Sequence, residues 1–359
     1  MTKTSNTPLT FNCGATMPNR FMLSPMTNSQ SHEDGTLSND EYNWLMMRAQ
    51  GGFGLTMTCA SHVQAVGKGF PGQLGIFSDD HIAGHKRLAA GIQNEGCLAV
   101  IQLHHAGMRS PEDIIGEQPV CPSEIQKHNA RALTLEEVYN LRQDFIDAAI
   151  RAQKSGYDGV EVHGAHGYIL TQFLSSDINK RTDHYGGNLE NRARLIFEIV
   201  DGIRKACGPQ FLLGVRLSPE RFGMQLDEVK TVSQQLIDTN QIDFLDISLW
   251  DVFKMPEEES HQNKSLLAYF EELDYKDVKW TVAGKINSGE DVQKILNTTV
   301  DFVSIGKSGI LHHDFPKLVM DNPNFVPAPT PVSTDHLKQE GLGDAFVTYM
   351  KRWEGFVQS

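Results

Sequence analysis

The stretch Gly-Val-Glu-Val-His-Gly-Ala-His-Gly-Tyr-Ile-Leu, residues 159–170, gathers two imidazoles and a phenol at the end of what reads as a buried strand. His163, His166 and Tyr168 are interleaved with Gly164 and Gly167, and an apolar helical pattern resumes toward Phe173. Catalytic groups characteristically collect at the carboxyl ends of parallel strands, so chemistry is expected at this turn. On residue types alone, two histidines three positions apart fit either a hydrogen-bonded structural pair or a metal pair, to which His104 and His105 could add ligands. Tyr168 alone fits a packed aromatic. No strand-end Asp or Glu joins the trio, which weakens the metal reading.

The elements that must position these groups alternate along the chain. Apolar strand patterns fall at 20–27, 54–60, 98–103, 159–163, 211–217, 244–248, 280–283 and 300–305, with helical spacing at 42–48, 79–95, 188–206 and 226–239 and after Ser288. Thr134 and Glu137 form a capping box that opens a helix whose face is Val138, Leu141, Phe145, Ala148 and Ala152. Eight strands with intervening helices and no composition break predict one α/β domain, a single (β/α)8 TIM barrel over residues 1–322. An open doubly wound sheet is the runner-up, since periodicity does not show closure. Residues 323–359 read as a C-terminal extension: a connector stiffened by Pro323, Pro327, Pro329 and Pro331, then a short helix at 345–353 that packs on the barrel or on a neighbouring subunit. The proline-bearing stretch 109–131 reads as a long excursion at a strand's carboxyl side, a length usually given to functional covers.

Composition narrows the partners. The 359 residues are 40% hydrophobic and 21% charged, the profile of an ordinary globular chain. A formal charge of −13 repels phosphate backbones and anionic membranes, arguing against nucleic acid and membrane partners. No apolar run reaches 18 residues, and no secretory pattern precedes Pro8. The five cysteines are scattered, with no Cys-x-x-Cys pair, which excludes a cysteine-ligated zinc or iron–sulfur site and suits a reduced, cytoplasmic protein.

Around the predicted rim stand Thr27, Ala60, Gln102, His163, Arg216, Ser248, Gly284 and Gly306. That inventory is poor in carboxylates and rich in hydrogen-bonding groups, with one fixed cation, a set better suited to holding a polar planar ring than to hydrolysing a bond. Strands 7 and 8 end in Ala283-Gly284-Lys285 and Ile305-Gly306-Lys307, turns whose amides and lysines suit a phosphate in the two loops where barrels characteristically bind one. Arg216, inside an apolar strand, needs a negative partner: a structural carboxylate such as Glu161, or a ligand.

Four motifs carry a family resemblance. They are Asn19-Arg20-Phe21 with Ser24-Pro25-Met26-Thr27; residues 101–107, Ile-Gln-Leu-His-His-Ala-Gly; residues 163–174, from His163 to Leu174; and residues 179–192, from Asn179-Lys180-Arg181 through Gly186-Gly187-Asn188 to Asn191-Arg192. From about Pro8 to Pro323 the chain resembles the old yellow enzymes, flavin-dependent ene-reductases built on the barrel. The resemblance implies tightly bound, non-covalent FMN held by Ser24, Pro25, Met26, Thr27, Ala60, Gln102, Arg216, Gly284, Gly306 and Lys307, with NADPH or NADH as reductant and no metal. It further implies that His163 and His166 bind a substrate carbonyl or nitro oxygen and that Tyr168 protonates the substrate α-carbon; Trp250 and Phe253 either wall the flavin or pack under the 251–279 excursion.

The implied activity is NAD(P)H-driven reduction of the activated C=C bond of a small enone or nitro compound, in two steps through flavin N5. From other classes, a His-ligated metal-dependent barrel hydrolase and a non-catalytic flavin-binding protein are the alternatives. Larger relatives with a cysteine cluster and extra domains are a further enzyme class, but this chain lacks that cluster. Lys307 stands where the family usually has arginine, Ser29 replaces one subgroup's aromatic, and Thr27 replaces its cysteine. Some relatives are homo-oligomers whose C-terminal arginine reaches a neighbour's site. Arg352 is the candidate for that role, with a solvated helix end as the simpler reading.

Overall fold

A computed structural model of the chain describes residues 3–358. Eight parallel strands form the barrel: β1 Phe21–Leu23, β2 Leu55–His62, β3 Leu98–His104, β4 Gly159–Gly164, β5 Leu212–Leu217, β6 Phe244–Ser248, β7 Lys279–Ala283 and β8 Phe302–Ile305. Each pairs with the next, and β8 pairs back onto β1 through Val303–Phe21 and Ile305–Leu23, so the sheet closes and the open-sheet alternative falls. Both β2 and β3 run further than their apolar patterns suggested. Ala60 and Gln102 are therefore register partners inside the wall, two residues below the strand ends and not on the rim itself.

Side-chain alternation divides β1, β3, β5, β6 and β8 between two apolar clusters. In β3, Ala99, Ile101 and Leu103 face the helices, while Leu98 and Val100 face the barrel interior. The outer cluster is covered by α1 Asn39–Gln50, α2 Ile82–Asn94, α3 Leu135–Lys154, α4 Leu189–Cys207, α5 Leu226–Asp238, α6 Leu266–Glu271, α7 Gly289–Leu296 and α8 Phe315–Asp321. Side-chain caps set the starts of α1, α3, α4, α6 and α7. Ser38 accepts from Glu41 N, the Thr134–Glu137 capping box forms as its spacing predicts, and Ser288 accepts from Asp291 N.

The inner cluster has a contributor that strand periodicity did not reveal. An antiparallel hairpin, Leu9–Thr10 with Thr16–Met17, brings Leu9, Phe11 and Met17 against Met22, Leu55, Met57, Leu98, Val100, Leu212, Phe244 and Phe302. The Phe11 ring lies 5.9 Å from Phe244 and 5.7 Å from Phe302, in the tilted and edge-on arrangements aromatic quadrupoles favour. The amino end of the barrel is thus filled with hydrocarbon, and the interior side chains turn polar only toward the carboxyl end of the described strands.

After β8 the chain makes α9 Thr334–Gln339 and α10 Asp344–Met350. The second replaces the helix expected at 345–353, beginning one residue earlier and stopping three sooner. The first was not foreseen; Ser333 caps it. Phe346 packs edge-on against Trp44 of α1 at 5.3 Å, and Arg48 of the same helix donates to the Glu340 carbonyl at 2.6 Å. The excursion 109–131 is ordered by the short helix Glu112–Ile115 and by Val120–Cys121 paired parallel to Arg131–Ala132.

Candidate active site

Strand parity determines which side chains reach the barrel mouth. On β3, β4, β5 and β6 the interior rows above the hydrocarbon floor are Gln102 and His104, Glu161 and His163, Arg216, and Asp246 and Ser248. Registers place Gln102 beside Glu161, His163 beside Arg216, and Arg216 beside Asp246. His105, one position out of phase, turns away: its Nδ1 accepts from Gly107 N and its ring packs against Gly67. Of the two histidines offered as extra ligands, only His104 joins the site.

The imidazoles form a chain. His104 Nδ1 lies 3.1 Å from His163 Nδ1, His163 Nε2 lies 2.9 Å from His166 Nδ1, and His166 Nε2 lies 2.8 Å from Ser248 Oγ. Burial lowers the pKa of all three well below the ordinary histidine value. For His163 the His166 and His104 rings add to that effect, and for His166 Arg216 does. These are neutral rings at neutral pH, each carrying one N–H donor.

Tyr168 opens the helix Ile169–Leu174 and stands over this chain, its ring 4.3 Å from His104 and 5.2 Å from His163. Burial raises the phenol's pKa, and the Arg109 charge opposes that rise. Gln172 anchors the turn, donating to the Gly167 carbonyl at 2.9 Å and accepting from Met108 N at 3.1 Å. Gly167 has φ +74°, and a Cβ there would meet the Phe222 ring at 2.6 Å, so this position tolerates no side chain without rearrangement.

Below the imidazoles lies a pair of carboxyls that the rim inventory overlooked. Glu161 accepts from Gln102 Nε2 at 2.7 Å, and Asp246 Oδ2 lies 3.0 Å from Arg216 Nε. The structural partner proposed for Arg216 was Glu161; the ion contact is instead with Asp246. That contact is close but poorly aligned for a hydrogen bond, so Arg216 Nε and both Asp246 oxygens, like Glu161 Oε2, are buried without a hydrogen-bonding partner among the described residues. Burial drives both carboxyls above the usual carboxylate range. Asp246 pushes Glu161 further the same way, while Arg216 opposes the rise at both. Parity carried the missed signal, since Glu161 precedes His163 by two residues and Asp246 precedes Ser248 by two.

The remaining predicted residues complete the mouth unevenly. Ser24 Oγ is tied to Ser304 Oγ at 2.6 Å, while Pro25, Met26, Thr27 and Ala60 are half-buried. Gly284 has φ +142°, and a Cβ would lie 2.6 Å from the Trp250 carbonyl carbon, so the β6 and β7 loops meet backbone to backbone. Beside Gly306 a Cβ would find only Met26 Sδ, at 3.7 Å, within 4 Å. Lys307 is exposed and donates to Thr330 Oγ1 of the C-terminal connector at 3.1 Å. Trp250, 44% exposed with φ +63°, sits 6.4 Å from His166 and carries the Arg221 guanidinium on its face at 4.8 Å. Phe253 is likewise exposed and points no ring at the imidazoles.

This donor set suits a flavin. A buried guanidinium without a hydrogen bond to the described residues, beside glycine-lined turns and an exposed lysine, offers charge and donors for a polar ring and a phosphate. The paired imidazoles offer each other, not a cation, their inner nitrogens.

Comparison with known proteins agrees. Residues 6–323 match the profile of the NADH:flavin oxidoreductase / NADH oxidase family. The chain is 37% identical over 311 residues to the probable NADH-dependent flavin oxidoreductase YqiG of Bacillus subtilis, covering 84% of this chain and 83% of that protein. It is 33% identical to the NADPH dehydrogenase of Bacillus pumilus, covering 85% and 90%. Among solved structures, morphinone reductase superposes with a TM-score of 0.80 at 26% identity, covering 97% and 96% of the two chains. The old yellow enzyme homologue of Zymomonas mobilis does so with 0.80 at 25%, covering 95% and 99%. The chain therefore belongs to the NADH:flavin oxidoreductase / NADH oxidase family, the old yellow enzymes, and is an oxidoreductase using FMN with NADH or NADPH.

Proposed function

We propose that this oxidoreductase reduces the C=C bond of α,β-unsaturated carbonyl or nitro compounds. The observation that carries the reading is the meeting of two neutral imidazoles, His163 buried and His166 half-buried, with one phenol at the barrel mouth, the two rings joined at 2.9 Å and Tyr168 set edge-on to His163. Bound FMN supplies the hydride that NADH or NADPH delivers to it.

A substrate oxygen entering beside His163 and His166 accepts from ring N–H groups, whose nitrogens here face the neighbouring imidazole at 2.9 Å and Ser248 Oγ at 2.8 Å. Neutral imidazoles suit this task, because they stabilise a developing enolate oxygen without surrendering a full proton to it. His166 is fixed for it by its own backbone N–H, which donates to Ser218 Oγ at 3.0 Å. Tyr168 then gives its proton to the α-carbon from the side opposite hydride arrival. A phenol held neutral by burial retains that proton until a carbanion-like centre asks for it.

Arg216, Gln102, Gly284, Gly306 and Lys307 are the residues this reading assigns to the flavin, together with the segment Ser24 to Thr27 and Ala60. Trp250 closes the substrate side. Anaerobic titration of the purified flavoprotein with NADPH should bleach the flavin absorbance, and 2-cyclohexenone should restore it. Bleaching that no enone or nitroalkene reverses would overturn the substrate class while leaving the oxidoreductase intact.

A further inference from the structure

Arg109, which opens the 109–131 excursion, was given no role above, yet it touches the ring of Tyr168 and the backbone of His166. It ends the single turn Gly107–Arg109 that follows β3. Its Nη1 donates to the His166 carbonyl at 2.5 Å, and its guanidinium lies over the Tyr168 ring at 4.6 Å and the Phe222 ring at 6.0 Å. The turn itself is pinned: Ala106 N donates to the Gly67 carbonyl at 2.9 Å, Met108 N to Gln172 Oε1, and Ser110 Oγ to the Val66 carbonyl at 2.9 Å.

We infer that Arg109 is a positioning residue for the proton donor, clamping the Tyr168 phenol by its face and the His166 turn by its carbonyl so that acid and oxygen grip move as one unit. The inference rests on the reading of Tyr168 as the acid. His166 has φ +63°, a left-handed conformation that a non-glycine residue holds only when its surroundings enforce it. The Arg109 bond to its carbonyl is one such restraint.

The charge on Arg109 matters as much as its shape. Of the other cations around the mouth, Arg221 sits on Glu257 at 2.7 Å, Lys254 on Glu220 at 2.6 Å, Lys285 on Asp251 at 3.0 Å and Arg216 on Asp246, while Lys307 bonds the Thr330 hydroxyl. Arg109 has no carboxylate within ion-pair distance among the described residues. Packed against the phenol are His104 from β3, His163 from β4 and Arg109, with Tyr349 of α10 acting from further off. With the histidines neutral, Arg109 is the formal charge among them.

When the α-carbon is protonated, a C–H bond forms, the phenol O–H bond breaks, and its electron pair stays on the oxygen until solvent returns a proton. A cation on the ring face stabilises that phenolate and so makes Tyr168 the better acid. Part of the effect is screened because Arg109 is exposed.

The test is the pH profile of the enone step in single-turnover experiments on the FMN-loaded enzyme, comparing Arg109→Met, Arg109→Gln and Arg109→Lys. Loss of the charge in the Met and Gln variants should move the alkaline limb up by about half a unit and slow the step at neutral pH by about tenfold. Arg109→Lys keeps a cation and should leave the limb in place while losing part of the rate. Alkaline limbs that coincide in the wild type and all three variants overturn the inference. If the Met variant loses flavin, the Gln variant decides the matter, since it keeps a donor for the His166 carbonyl. Tyr168→Phe separates the two layers: a Phe variant that retains both rate and limb refutes the acid, whereas loss in Phe without a shift in Met and Gln refutes Arg109 alone.

Discussion

The two halves of the barrel interior obey opposite rules. At the amino end, Leu9, Phe11 and Met17 seal a floor of aliphatic and phenyl side chains. At the carboxyl end the same strands present Gln102, Glu161, His163, Arg216 and Asp246, and buried atoms of Glu161, Arg216 and Asp246 lack hydrogen-bond partners among the described residues. Backbone strain follows the same division. Among the described non-glycine residues, Ser29, Asn129, His166, Arg221, Phe222, Trp250 and Lys285 hold positive φ in carboxyl-end loops, and Asn240 and Lys276 do so at the other end. Stability is gathered where nothing reacts, and unsatisfied polarity and strain are tolerated where substrate and flavin can relieve them.

Exchanging the properties of the halves would test the contrast. Tyr168→Phe, at the mouth, should slow the enone step by about 10²–10⁴-fold, far more than it slows flavin reduction, as single-turnover absorbance would report. Equal slowing of both half-reactions would remove Tyr168 as the acid. Phe11→Ala, at the floor, should cost about 3 kcal/mol in urea unfolding, because the hairpin cannot collapse into the space left beside Phe244 and Phe302. The ratio of the two half-reactions should be unmoved in that variant. A changed ratio would mean that the floor communicates with the mouth.

A smaller effect lies at the boundary. With folded-state pKa values raised above those of the unfolded chain, the Glu161 and Asp246 carboxyls contribute stability that is fully present below the ordinary carboxylate range and is lost as pH climbs through their raised values. Flavin-free protein should therefore lose denaturation midpoint between about pH 5 and pH 8. Glu161→Gln should flatten that slope, leaving the residue due to Asp246. A midpoint that rises over the same interval in the wild type would show that Arg216 outweighs burial and keeps both groups ionised.

Much of this arrangement is legible locally. Strand and helix identity follows from side-chain period, and helix starts follow from Ser38, Thr134 and Ser288, because each cap involves residues within three positions. His163, His166 and Tyr168 were visible because one turn carries them all. Glu161 and Asp246 were half visible, since parity assigns them to the interior but not to each other.

The order of elements, the grouping of His163, His166 and Tyr168 on one turn and the family membership were thus determined by the sequence itself, through short-range periodicity and contiguous motifs. Tertiary structure alone decided closure of β8 on β1, the hairpin under the floor, the choice of Asp246 over Glu161 as the partner of Arg216, and the placing of Arg109 on Tyr168. Each of these joins residues tens to hundreds of positions apart. Their contact depends on how the whole wall curves and twists, which no local pattern of residue types encodes.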